Sequence, residues 1–174
     1  MDKLFLLDAY AIIFRSYYAF INRPTINSKG LNTSAILGFC NTLKEITDKE
    51  QPLYLGVAFD EGKTFRHEAF PPYKAQRQAT PEDIKLAVPI IKEILNAMHI
   101  PILVSPGFEA DDVIGTIALQ AGKAGVETYM LTPDKDYGQL IRENVYMYRP
   151  RHGGGYDIIG EKQIEDKYGV ASAH

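Results

Sequence analysis

Seven carboxylates fall where a bound ligand would meet them. Asp8 follows the apolar run Lys3-Leu4-Phe5-Leu6-Leu7, and Asp60 follows the run 53–59. Glu109, Asp111 and Asp112 lie just beyond the run 100–104, and Asp134 and Asp136 just beyond 126–131. If the four runs are parallel strands of one sheet, their C-terminal ends form a single rim, the edge where open α/β sheets bind ligands. Glu109 and Asp112 are one helical turn apart and share a face. Asp134 and Asp136 project together if that stretch is extended. Crowded carboxylates repel, and some would take up protons at neutral pH. A hard divalent cation removes that repulsion, and Mg2+, which prefers oxygen ligands and keeps several waters, suits a broad acidic bowl. There is no Cys/His cluster, so a zinc site is not expected. Each acid alone has a plainer reading. Asp8 is equally a helix cap, Asp134-Lys135-Asp136 a solvated loop, and Glu109 and Asp111 partners for a helix dipole. Caps do not require doubled acids after two strands, and Asp8 and Asp112 are the strongest individual metal candidates. Asp2, Glu61, Asp83 and Asp157 lack this placement and read as surface or capping groups.

A second cluster is basic. Residues 63–77 carry Lys63, Arg66, Lys74 and Arg77 against one acid, Glu68, with Phe65, Phe70 and Tyr73 interleaved. Cations for phosphates and rings for unstacked bases are the chemistry of single-stranded nucleic-acid contact. Lys74 and Arg77 are three apart and would point together on a helix. The alternative is a solvated loop whose rings pack on the core. The stretch has no apolar periodicity, so losing Lys74 or Arg77 is expected to change stability by roughly 0.5 kcal/mol or less. His67, His99 and His152 show no partner pattern. Gly153-Gly154-Gly155 reads as a turn, because no Lys-Ser/Thr follows to make a phosphate-binding loop.

Elements must position these groups. The chain has 174 residues, 45% hydrophobic and 24% charged, which supports one globular domain with a real core. No apolar run approaches the ~20 residues of a membrane span. The N-terminus has no secretory pattern, and the single cysteine, Cys40, points to a reducing cytoplasm. The net charge of −3, from 19 Lys+Arg and 22 Asp+Glu, does not announce a nucleic-acid binder. Strands are predicted at 3–7, 53–59, 100–104 and 126–131, with a hairpin of 145–148 and 156–159. A helix is expected from Ala9 to about Phe20, followed by a loop over 22–33. Thr33 or Ser34 caps the next helix, which buries Ile36, Cys40, Leu43 and Ile46 and ends before Pro52. Residues 61–79 break every periodicity. Thr80-Pro81-Glu82-Asp83 opens a helix that buries Ile84, Val88, Ile91, Leu95 and Met98 and is kinked by Pro89. The last two helices are 109–124, with Ile114, Ile117 and Ala121 inward, and 161–168. Strands alternating with helices predict an α/β fold, a mainly parallel sheet flanked by helices.

Phe108-Glu109-Ala110-Asp111-Asp112-Val113-Ile114-Gly115-Thr116, together with Thr132-Pro133-Asp134-Lys135-Asp136-Tyr137-Gly138-Gln139-Leu140, resembles the 5′ nuclease (flap endonuclease-like) family. Within it, the N-terminal 5′–3′ exonuclease domain of bacterial DNA polymerase I is the nearest likeness. Phe59-Asp60 with Lys63-Thr64-Phe65-Arg66, Tyr73-Lys74-x-x-Arg77, and Leu7-Asp8 with Phe14-Arg15-Ser16-Tyr17-Tyr18 fit the same pattern. The resemblance covers the whole chain. It implies a PIN-like fold with a basic arch over 61–79, and hydrolysis of DNA phosphodiesters at 5′ ends, flaps or nicks, leaving a 5′-phosphate and a 3′-hydroxyl. It implies two divalent ions, Mg2+ or Mn2+, on Asp8, Asp60, Glu109, Asp111, Asp112, Asp134 and Asp136. Lys74 and Arg77 become the arch cations beside Tyr73, and Arg15, Lys63 and Arg66 match basic positions near the substrate.

The same likeness implies a monomer fused to polymerase domains, with no membrane partner, serving replication and repair at the nucleoid of a bacterial cytoplasm. Pro133 stands where the family carries glycine. The family's later Gly-Asp-x-x-Asp-Asn motif and helix–hairpin–helix do not appear before the chain stops at Ala171-Ser172-Ala173-His174. The 174 residues are thus expected to be the catalytic core of a larger chain. Two other readings stay open: a PIN-type ribonuclease that selects RNA by its 2′-hydroxyl, and a structure-specific DNA-binding module without turnover.

Overall fold

The computed structural model describes residues 2–76 and 78–169. Six strands form one sheet: β1 (Lys3–Asp8), β2 (Tyr54–Ala58), β3 (Ile102–Leu103), β4 (Glu127–Leu131), β5 (Val145–Pro150) and β6 (Tyr156–Ile159). Their order across the sheet is β3-β2-β1-β4-β5-β6, and every pair is parallel except the β5–β6 hairpin. Six α-helices accompany them: α1 (Ala9–Ala19), α2 (Ser34–Lys49), α3 (Phe65–Ala69), α4 (Glu82–Ala97), α5 (Ala110–Lys123) and α6 (Glu161–Tyr168). A 3-10 helix covers Lys135–Leu140.

The central strands are buried on both faces, as a parallel sheet covered by helices requires. Phe5 and Leu7 turn to one side with Val57 and Phe59, where α1, α2 and α4 deliver Ile12, Ile13, Phe39, Leu43, Ile91 and Leu95. Leu4 and Leu6 turn to the other side, against Ala110, Ile114 and Ala118 of α5 and Tyr137 of the 3-10 helix. The chain thus covers one face on its way from β1 to β2 and the other on its way from β3 to β4. β1 and β4 are neighbours, with Leu7 opposite Leu131. The crevice between their C-terminal ends is where this topology places a ligand.

Several local expectations shift. The buried stripe of α2 is Ala35, Phe39, Leu43 and Ile46, with Ile36 and Cys40 only half-buried beside it. In α4 the stripe is Ile84, Ala87, Ile91 and Leu95. Met98 lies past the helix end as its C-cap and is exposed. That helix runs unbroken through Pro89, which sits on the solvent side, where water reaches the carbonyl the proline leaves unbonded. Pro81, rather than Thr80, occupies the N-cap. β3 contracts to two residues. The segment 61–79 is not wholly irregular: Thr64 and His67 form a reciprocal cap that starts α3. Asp134 and Asp136 are not in extended chain either, because Asp134 caps the 3-10 helix and its carboxylate accepts the Asp136 N–H. Among the described residues no helix is long and apolar enough to cross a membrane.

Candidate active site

Five of the seven acids line one open cavity of about 800 Å³ at the C-terminal rim of the sheet: Asp8, Asp60, Glu109, Asp111 and Asp134. Lys74, Tyr10, Phe14 and Tyr137 line it too. Asp112 and Asp136 lie next to these acids in the chain but do not line the cavity. Arg15 is drawn away, donating to the Arg151 carbonyl at 3.0 Å. Lys63 is exposed beside Gly62. Arg77 lies outside the described residues.

Asp8 ends β1 and caps α1, accepting the Ala11 N–H at 3.2 Å. Its other oxygen accepts the Tyr137 hydroxyl at 3.0 Å and the Thr132 hydroxyl at 3.3 Å. Burial pushes its carboxyl up to about 6, against the lowering effect of those hydrogen bonds, and the nearby Asp60 charge adds to the rise. Tyr137 is itself pushed far up by burial and then by the Asp8 charge, so it remains a donor. Thr132 also accepts the Asp134 N–H at 3.2 Å, so one buried hydroxyl links the ends of β1 and β4. Neither Thr132 nor Tyr137 was among the candidates. Both lie within the sequence pattern around Asp134, but only the 3-10 turn aims Tyr137 back at Asp8.

Asp60 accepts the Ala110 N–H at 2.6 Å, tying the end of β2 to the first turn of α5. Glu109 is buried and held by one protein cation, Lys74 Nζ at 2.7 Å, and by the Tyr73 hydroxyl, which donates at 3.1 Å. Asp112 caps the Glu109 N–H at 3.0 Å and takes a bidentate pair from Arg66 at 2.6 and 2.7 Å. That guanidinium holds the Asp112 carboxyl below its usual range. Asp111 moves the other way, raised by partial burial and then by the Asp112 and Glu109 charges.

Among the described residues, no three acidic, histidine or cysteine side chains converge tightly enough to hold an ion in this conformation. The physical reason is visible. Arg66 and Lys74 pair with Asp112 and Glu109, and backbone and hydroxyl donors occupy oxygens of Asp60 and Asp8. The donor set still fits a hard cation, because five carboxylates line the cavity with no sulfur or imidazole among them, and burial followed by repulsion from neighbouring acids already raises the Asp8 and Asp111 carboxyls. Cations and acids thus occupy the same rim, and protein side chains supply the positive charge.

The sequence matches the family model for the 5′-3′ exonuclease, N-terminal resolvase-like domain, over residues 3–169. A 5′-3′ exonuclease of Aquifex aeolicus is 39% identical over 171 residues, covering 98% of this chain and 57% of that protein. DNA polymerase I of Bacillus caldotenax is 37% identical over 97% of this chain, which spans only 19% of that protein. The chain therefore spans little more than half of one such relative and about a fifth of the other. Among solved structures, the phage T5 5′-exonuclease bound to divalent metal ions (zinc) superposes with a TM-score of 0.69 at 16% identity, covering 97% of this chain and 62% of the other. The catalytic core of Rad2 in complex with DNA substrate gives 0.56 at 16%, covering 98% and 50%. At those identities the superpositions establish a shared fold, the PIN-like α/β architecture. With nearly its whole length matched, the chain belongs to the 5′-3′ exonuclease N-terminal, resolvase-like domain family.

Proposed function

We propose that this domain hydrolyses DNA phosphodiesters near 5′ ends and flaps, as a divalent-metal-dependent 5′–3′ exonuclease and the nuclease part of a DNA polymerase I-type protein. The observation that carries the reading is the cavity in which five carboxylates and Lys74 meet at the sheet's C-terminal rim. Asp8, Asp60, Glu109, Asp111 and Asp134 would hold the ions, two of them and Mg2+ or Mn2+ by preference, with Asp112 and Asp136 alongside. When bound, such ions supply a deprotonated water at neutral pH and charge stabilisation at the phosphate. Lys74, which pairs with Glu109 here, would turn to a scissile phosphate and with Arg77 stabilise charge developing there. Arg66, which pairs with Asp112 here, would exchange it for a neighbouring phosphate in the same way. Thr132 and Tyr137 orient Asp8 and keep one of its oxygens occupied, leaving the other shared with the helix cap.

The test is cleavage of a 5′-flap DNA and of a matched RNA with Mn2+, alongside calorimetric titration of the ion. The expected result is Mn2+ binding that weakens in Asp60→Ala and cleavage of the DNA flap in preference to RNA. Preferential cleavage of RNA would favour a ribonuclease. Binding of DNA with no turnover at any divalent-ion concentration would favour a structure-specific binding module. That second reading draws on the pairing of Arg66 with Asp112 and of Lys74 with Glu109, which compensates two of the acids without metal.

A further inference from the structure

Outside the acid-lined cavity, two phenylalanines present their rings to solvent side by side. Phe65 is 46% exposed and Phe108 47%. Their centroids lie 5.6 Å apart at an interplanar angle of 55°. These are not loose loop tips. The Phe65 N–H donates to the Gly107 carbonyl at 2.9 Å, and the Phe108 N–H donates to the Ser105 carbonyl at 3.1 Å. Gly107 has a φ of +83°, which lets the turn that carries Phe108 close. The Arg66 guanidinium sits 4.6 Å from the Phe65 ring centre while its N–H groups grip Asp112. The chain thus holds an apolar pair rigidly in water, one residue away from Arg66 on one side and from Glu109 on the other.

We propose that Phe65 and Phe108 form a stacking platform for an unpaired nucleobase of the strand that crosses the acidic rim. The inference rests on the nucleic-acid reading given above and adds a base subsite to it. A base offers a π-face to a ring while its phosphates need cations, and Arg66 and the exposed Lys63 flank this pair. Tyr73, the ring beside the arch cation, is already engaged: Lys74 Nζ lies 5.0 Å from its centre, His67 meets it edge-on at 5.3 Å, and its hydroxyl is bound to Glu109. The Phe65–Phe108 pair therefore supplies exposed ring surface within 4.6 Å of the guanidinium that holds Asp112.

The chain contains no tryptophan, so Phe65→Trp creates a single fluorescent reporter. Binding of a short oligothymidylate and of an abasic strand of equal length is measured by anisotropy, with Ca2+ present to neutralise the carboxylates. Phe65→Ala, Phe108→Ala and the apolar but non-stacking Phe65→Leu are each expected to weaken oligothymidylate binding about tenfold. Their abasic-strand binding and salt dependence stay those of the wild type, because no phosphate contact is lost. The reporter is quenched by oligothymidylate and not by the abasic strand. Equal oligothymidylate affinity in wild type and in Phe65→Leu, with an unquenched reporter, overturns the platform and leaves the nucleic-acid reading standing. Failure of the wild type to bind either strand overturns both.

Discussion

Arg66 and Asp112, 46 residues apart in the chain, close a bidentate ion pair at 2.6 and 2.7 Å while Asp112 also caps the N-terminus of α5. One carboxylate therefore pins the basic segment to the helix that carries Glu109 and Asp111. Both side chains keep about a quarter of their surface exposed, 29% and 25%, so solvent screens the pair only in part. A double-mutant cycle with Arg66→Ala and Asp112→Ala is expected to give a coupling of about 1 kcal/mol by urea unfolding. A coupling near zero would mean that α3 is held by its backbone contacts instead.

Lys74 carries a second expectation, and here the structure reverses the sequence's. A cation in an aperiodic segment reads as dispensable, yet Lys74 neutralises Glu109, whose side chain is only 6% exposed. It does so from a left-handed backbone conformation, φ +56°, that non-glycine residues seldom adopt. Lys74→Ala should lower stability by on the order of 2 kcal/mol, because it strips a buried carboxylate of a partner. Lys74→Gly should be less destabilising than Lys74→Ala, since glycine adopts positive φ without the steric cost. Both should cut flap DNA about a hundredfold more slowly if Lys74 meets the phosphate. Equal melting temperatures for wild type and Lys74→Ala would return Lys74 to the solvated loop.

Asp8 gives a pH dependence. Its carboxyl is pushed up from the ordinary 3.8 to about 6 in the fold, so the native state holds the proton more tightly than the unfolded chain. Its contribution to stability is complete below pH ~4 and is lost as pH rises through ~6, a change on the order of 3 kcal/mol. In the absence of divalent ions, Asp8→Asn should therefore be more stable than wild type at pH 7.5, because Asn caps α1 about as well and carries no charge. The advantage should vanish near pH 4. Thermal melts across that range check it, and a variant less stable at every pH would make the charged Asp8 a net structural asset.

Tyr137→Phe removes the hydroxyl that donates to Asp8 Oδ2. The loss of one charge-assisted hydrogen bond should lower stability at pH 7.5 by about 1–2 kcal/mol. It should also raise the Asp8 carboxyl further, so that Mn2+ binding weakens more at pH 6 than at pH 8. Calorimetry at the two values reads this directly. A pH-independent change would show that Tyr137 supports the 3-10 helix alone.

Divalent ions should stabilise the wild type by mass action, about 2.7 kcal/mol at a hundredfold excess over the dissociation constant. In Arg66→Ala the gain should be larger, because Asp112 no longer has to exchange a guanidinium for the ion. Differential scanning fluorimetry with and without Mn2+ measures both. A smaller gain in Arg66→Ala would mean that the pair positions the acids for the ion instead of competing with it.

The sequence alone determined the frame. Four apolar runs each stopping at acids, with helical stretches between, suffice to predict a parallel sheet with its carboxylates on one rim. The β-hairpin around Gly153–Gly155 and the helix over Glu161–Tyr168 were equally legible, because turn glycines and a short periodic stretch are local signals. What remained hidden depends on contacts between distant parts of the chain. No local pattern reveals that Asp112, a leading metal candidate, is taken by Arg66, or that Glu109 is buried under Lys74 and Tyr73. The turn that aims Tyr137 at Asp8 is a 3-10 helix, whose tighter winding shifts every side chain relative to the extended reading of 134–136. The pairing of Phe65 with Phe108 arises because the Phe65 N–H, at the start of α3, bonds the Gly107 carbonyl in the turn before α5. Strand ends decide where acids gather, because chain direction is a local property. Which acid holds a proton, a cation or a hydroxyl is decided by neighbours that only the folded chain brings together.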